Sequence, residues 1–282
     1  MILEHEIPNG SKLYFGKSAK IKRNIENIAS EILDKNGFDE IVTPAFSYHQ
    51  HLSIADEKEL IRVNDTKNNA LSLRADSTID AVRIIHKRLG RNTEHKKWFY
   101  IQPVFKYPTT EQYQVGVEFM DEKKLSLVAN ISIDIFNRLE IKPLFQISNI
   151  KIPELLVEMF EELSLDDFRH INIEKFLNLK VDWLEKLVYL QHVEQIDELL
   201  EIAPESINKE LLKMKELCSE ISYEKMVLAP MYYAKMLYYD EVFFRVIDKN
   251  EVYARGGRYE DSGVTSVGFA IYTDALCETL SK

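Results

Sequence analysis

Residues 98–107 read WFYIQPVFKY, residues 108–112 PTTEQ and residues 113–120 YQVGVEFM, and this stretch decides the fold class. Both flanks are dense in aromatic and β-branched residues, which suit a pleated, half-buried surface, so they predict two antiparallel strands joined by a loose loop at Pro108–Gln112. Gln114 and Glu118 stand four residues apart and project from the same side of a strand, the side that Gly116 leaves open.

Upstream, Ile21, Ile25, Ile28 and Ile32 recur at helical spacing with Leu33 beside them, Ser18 as N-cap and Gly37 as stop. FDEIVTP at 38–44 and ALSLRA at 70–75 read as short strands. Asp76, Ser77 and Thr78 are candidate caps for a helix carrying Ile79, Val82, Ile85 and Leu89 and stopped by Gly90. Downstream, 125–139 predicts a helix and 142–148 a strand. From about 150 to 225 strand signals vanish, and Leu184, Leu187, Val188, Ile196, Leu199 and Leu200 mark the apolar faces of short helices. Strand texture returns at 242–247, 251–254 and 266–272, with Asp248-Lys249-Asn250 as a turn, and 273–280 predicts a last helix. The expectation is an α+β domain over 1–149 and 226–282, interrupted by a helical insertion over 150–225.

The 282 residues carry a net charge of −10, whereas nucleic-acid binders are usually marked by a basic stripe, since phosphate neutralisation drives their affinity. The one basic cluster, His86 to Arg91 and His95 to Lys97, reads as a solvated helix end and loop. Cys218 and Cys277 are far apart and in no metal spacing, which points to a reducing compartment and no metal site. The start, MILEHEIPNG, has no signal-peptide pattern, and no run approaches the roughly 18 apolar residues of a membrane span. The expected location is the cytoplasm, with neither nucleic acid nor membrane as partner.

Three segments, in order, resemble histidyl-tRNA synthetase and its regulatory paralogue, the ATP phosphoribosyltransferase regulatory subunit. They are Leu73-Arg74-Ala75-Asp76-Ser77-Thr78 with Arg83; Tyr100–Tyr107 with Gln114-Val115-Gly116-Val117-Glu118; and Gly256-Gly257-Arg258-Tyr259-Glu260 with Val267-Gly268-Phe269-Ala270. The resemblance covers residues 10–150 and 230–282. It implies a class II aminoacyl-tRNA synthetase-like antiparallel sheet flanked by helices, and a homodimer. It also implies a histidine-like pocket made by Asp76, Thr78, Lys106, Gln114, Glu118, Tyr238 and Tyr259. Asp76 and Thr78 take the places that hold the ligand's ammonium, Gln114 and Glu118 line the amino-acid pocket, and Tyr238 and Tyr259 take those of tyrosines that contact the imidazole. Each has a plainer reading: Asp76 caps a helix, Glu118 is solvated, and the tyrosines, two of 14, pack in a core.

The same resemblance exposes what is missing. The motif-two arginine of the family falls at Lys106 and the motif-three arginine at Ala275, while Pro108 and Thr110 replace other charged loop residues. Residues 232–237, YYAKML, lack the histidyl-specific arginine. Adenylation aims positive charge at ATP phosphates, and losing one such donor costs about 3 kcal/mol of barrier. No anticodon-binding domain is expected after Lys282. The leading expectation is therefore a non-catalytic regulatory subunit without a cofactor. It would pair with the catalytic subunit of short-form ATP phosphoribosyltransferase in the first step of histidine biosynthesis, activate it and carry feedback by histidine. A respecialised small-molecule binding module and a truncated adenylating enzyme are the alternatives.

Overall fold

The computed structural model describes residues 6–50, 56–89, 93–233, 239–261 and 263–281. Gly90 and Tyr238, singled out above, lie outside the described residues. The chain divides into two compact units, Met1–Asp121 with Phe269–Lys282, and Glu122–Gly268.

The first unit opens with helix α1, Gly16–Lys35, whose buried stripe is Ile25, Ala29 and Leu33. Ser18 is not its N-cap. That position falls on Phe15, and Ser18, three residues on, accepts a hydrogen bond from the Phe15 amide at 3.1 Å. The hydroxyl serves the same exposed end of the helix from inside it. Gly37 stops the helix as expected, at φ 78°, with Phe38 N–H reaching the Leu33 carbonyl at 3.1 Å. Strand β1, Asp39–Glu40, then pairs in parallel with β5, Lys97–Lys106, whereas β2 (Phe46–Ser47), β3 (Arg62–Asn64) and β4 (Ala70–Leu73) form a separate antiparallel sheet in the order β2-β4-β3. Helix α2, Thr78–Ile84, ends in a π turn over Ile85–Leu89.

Strand β6, Thr110–Phe119, pairs antiparallel with β5 from Lys97↔Phe119 to Lys106↔Thr110. The connecting loop is thus tighter than PTTEQ suggested, because Thr110, Glu111 and Gln112 stay in the ladder and only Tyr107, Pro108 and Thr109 turn.

The second unit starts with α3, Leu125–Arg138, and β7, Leu144–Asn149. Six helices follow: α4 (Lys151–Met159), α5 (Leu165–Arg169), α6 (Ile173–Leu177), α7 (Asp182–Val188), α8 (Ile196–Leu200) and α9 (Glu205–Glu220). Leu184, Leu187, Ile196 and Leu199 are at most 1% exposed, and burying such side chains stabilises by about 2 kcal/mol each. The chain returns through β8 (Met226–Leu228), β9 (Tyr239–Asp248), β10 (Glu251–Asp261) and β11 (Val264–Tyr272). Here β9 lies between β7 and β10 with antiparallel pairing, and β8 runs parallel to β7. The sheet structure is therefore mixed, with short parallel pairs at β1·β5 and β7·β8. Strand β11 carries the chain back to the first unit, where α10, Thr273–Leu280, packs on β6 and against α1. Among the described residues no helix is long and apolar enough to cross a membrane.

Candidate ligand-binding site

Opposed residues of an antiparallel pair share a face, so the register puts Trp98, Tyr100 and Gln102 of β5 on the same side as Glu118, Gly116 and Gln114 of β6. The space that Gly116 leaves open is taken by the Tyr100 ring. A Cβ at Gly116 would lie 2.0 Å from Tyr100 Cζ. Tyr100 is 0% exposed and Glu118 1%, and the phenol donates to Glu118 Oε1 at 3.1 Å. Its oxygen also lies 3.2 Å from Thr78 Oγ1, at the first turn of α2. Burial, then the charges of Glu118 and Asp76, push the phenol well above its ordinary pKa, so it stays neutral. A neutral phenol beside two carboxylates makes a site of negative potential with hydroxyl groups at hand. Such a site suits an ammonium or a protonated ring.

The loop bearing Asp76 is held from both sides. Gln50, 0% exposed, accepts at 2.8 Å from both the Ala75 and Asp76 amides and donates to the Asp76 carbonyl at 3.0 Å. Arg74 donates to the carbonyls of Pro103 and Thr43, each at 2.9 Å, and of Pro44 at 3.1 Å. Arg83 pairs with Asp80 at 2.7 Å. These guanidinium groups anchor the scaffold.

Lys106 lies apart from this cluster. Six residues along β5 from Tyr100, it is about 20 Å away, and its ammonium pairs with Glu59 at 2.7 Å. Ala275, at the place of the motif-three arginine, sits in the first turn of α10 next to Asp274, whose carboxylate accepts from the Tyr14 hydroxyl and, at 2.9 Å, from the Tyr113 amide. Gln114 is 7% exposed on the Tyr100 face. Tyr259, 1% exposed, belongs to the second unit, where it stands opposite Tyr239 beyond a bulge in β10. The glycine pair before it admits neighbours closely: a Cβ at Gly256 would meet the Phe244 ring at 2.3 Å and the Gly268 carbonyl at 2.8 Å, and one at Gly257 the Tyr239 ring at 2.6 Å.

Sequence reasoning missed Tyr100, Gln50 and Glu59. Counting the hairpin ladder would have set Tyr100 opposite Gly116, but nothing local marks Gln50 or Glu59, which come from distant segments. Among the described residues no group of three or more His, Cys, Asp or Glu is arranged to hold a metal ion.

Comparison with known proteins accords with this geometry. The profile of the histidyl-tRNA synthetase family matches residues 15–276. An ATP phosphoribosyltransferase regulatory subunit of Wolinella succinogenes is 44% identical over 282 residues, 100% of this chain and 98% of its own length. A protein of the same name from Helicobacter hepaticus is 40% identical over 280 residues, 99% of both chains. A crystal structure described as an ATP phosphoribosyltransferase regulatory subunit/histidyl-tRNA synthetase from Bacillus halodurans superposes with a TM-score of 0.86 at 21% identity, covering 99% of this chain and 84% of that one, a likeness of fold. Matched end to end by the first two relatives and by the profile over nearly its whole length, the chain belongs to the histidyl-tRNA synthetase family, in the branch of the ATP phosphoribosyltransferase regulatory subunits.

Proposed function

We propose that this chain is the regulatory subunit of an ATP phosphoribosyltransferase: it assembles with a short-form catalytic subunit, activates it, and transmits feedback from histidine. The observation that carries the role is the 44% identity to a regulatory subunit along the full chain. The pocket supports the ligand. Thr78, Tyr100 and Glu118 form a buried hydrogen-bonded series beside Asp76, suited to an amino acid's ammonium or a histidine ring. Asp76, Thr78, Gln114 and Glu118 of the first unit are the proposed contacts.

The same geometry supports catalytic silence. Lys106 stands where the family has its motif-two arginine and is already paired with Glu59, and Ala275 offers no charge at the motif-three place. Adenylation of an amino acid needs cations converging on the phosphates. For self-association, Val42, Phe46 and Tyr48 are 79, 58 and 53% exposed on neighbouring segments of the first unit, an apolar surface suited to a homodimer. The buried free thiols of Cys218 and Cys277 suit the cytoplasm.

The test is to mix the purified chain with a short-form catalytic subunit. Co-elution, a rise in phosphoribosyl transfer and its suppression by histidine are the expected results, together with no ATP–pyrophosphate exchange by this chain alone. Absence of co-elution and of any change in activity refutes the role. A respecialised pocket is the second reading, favoured by the lack of an arginine in residues 232–237 to anchor an amino-acid carboxylate. Calorimetry with histidine separates the two.

A further inference from the structure

The loop between β4 and α2 takes its backbone hydrogen bonds from other segments. The Arg74 amide donates to the Ala45 carbonyl, and the Arg74 carbonyl accepts from the Phe105 amide, each at 2.7 Å. The next three backbone groups are met by a single side chain. Gln50 Oε1 accepts from the Ala75 and Asp76 amides, each at 2.8 Å, and Gln50 Nε2 donates to the Asp76 carbonyl at 3.0 Å and to Asp80 Oδ2.

A side-chain amide has two N–H donors and one oxygen with two lone pairs, so all of this capacity is in use. Gln50 is fully buried, and with no donor or acceptor left over it has nothing to offer a ligand directly. The same bonds fix which way the amide faces. Turned over, it would set N–H against the two backbone N–H groups and its oxygen against a carbonyl and a carboxylate. Its donor end meets a fixed partner, because Asp80 is itself buried and accepts from Ser47 Oγ at 3.0 Å and from Arg83 Nη2 at 2.7 Å.

Asp76 is thus gripped through both its N–H and its C=O by one immobile group, which fixes the backbone from which its side chain springs. The charge of that side chain is felt at the buried Tyr100 phenol, in the cluster with Thr78 and Glu118. A charged group delivers its full interaction with a ligand only when it is held to within about 0.5 Å of the right place. We propose that Gln50 is a positioning residue of the ligand site: it touches no ligand, and it sets affinity by aiming the Asp76 carboxylate at the ligand's cationic group. The inference rests on the pocket proposed above and deepens it, since it makes binding depend on a segment that lies outside the pocket.

The experiment is calorimetry with L-histidine on the full chain as wild type, Gln50→Met, Asp76→Asn and the double variant, with thermal unfolding of each to establish that it is folded at the temperature used. Gln50→Met and Asp76→Asn are each expected to weaken binding about tenfold. The double variant is expected to bind within about twofold of Asp76→Asn alone, because a misaimed charge and a missing charge are the same loss. Losses that multiply to about a hundredfold would show that Gln50 acts through the general integrity of the fold, and they overturn the proposal. So does unchanged affinity in Gln50→Met. Gln50→Asn keeps the amide but is one methylene too short to meet the same groups; it should repeat the pattern of Gln50→Met and serves in its place if that variant does not fold. No binding by the wild type, or full affinity in Asp76→Asn, refutes the pocket and this inference with it, whereas binding by the wild type with multiplying losses refutes this inference alone.

Discussion

Two parts of one hairpin have been treated differently. At its base, Tyr100 and Glu118 are buried and joined to Thr78. At its tip, Lys106 is half exposed and joined to Glu59. The base holds acceptors and hydroxyl groups in a dry, fixed arrangement, where electrostatic interactions are strong. The tip holds its one family-placed cation in water and already neutralised, where an ion pair contributes little. Recognition of a cationic ligand depends on the first kind of site and activation of a nucleotide on the second. On the function proposed above, a protein that keeps the base and loses the tip would sense a ligand and would not adenylate.

The contrast is open to attack by substitution. The largest effect is expected from Gly116→Ala. Its Cβ would intrude 2.0 Å from a ring that is 0% exposed and hemmed in by the sheet, so destabilisation of about 3 kcal/mol should appear in chemical denaturation. Unchanged stability would mean that the base is loosely packed. Next, Glu118→Gln removes the buried charge while keeping the shape, and should weaken histidine binding by about tenfold or more in calorimetry. Full affinity in that variant would remove the base from the ligand site. Tyr100→Phe leaves the Glu118 carboxylate and the Thr78 hydroxyl each short of a partner, at a cost of about 1–2 kcal/mol in stability.

A smaller effect follows from Asp274. Burial raises its pKa above the ordinary 3.8. A carboxyl group that protonates more readily in the folded state opposes folding when ionised, and that penalty is relieved as pH falls through its raised value toward 3.8. Melting curves at descending pH should therefore shift in favour of wild type relative to Asp274→Asn. A pH-independent difference between the two would show that the carboxylate is well solvated. Smallest of all, Lys106→Ala should change stability by less than about 1 kcal/mol and leave activation of the catalytic subunit intact. Loss of activation in that variant would mean that the tip still works.

Much of the fold was legible because its signals are local. The helical spacing of Ile21 to Leu33, the left-handed position demanded of Gly37, and the aromatic and β-branched texture of 98–107 and 113–120 each report the conformation of the residues that carry them. Boundaries were less legible. Ser18 reads as a cap because it is a good one, yet the helix extends three residues further back and uses the hydroxyl from within. Strand β8 has only three residues, too few for a pattern, and its parallel partner β7 lies some 80 positions earlier.

The site divides in the same way. Residue types at 76, 78, 114 and 118, and the absence of arginine at 106 and 275, were set by the order of amino acids alone, and with them the chemistry available. Whether those groups meet, and what else meets them, was decided by packing. Tyr100 fills the gap over Gly116 because two strands pair in one register, Gln50 grips the loop at Asp76 from 25 residues away or more, and Glu59 reaches Lys106 from another segment. Such contacts arise between stretches far apart along the chain, and side-chain chemistry without a register or a distance cannot choose among the many carboxylates and amides able to make them.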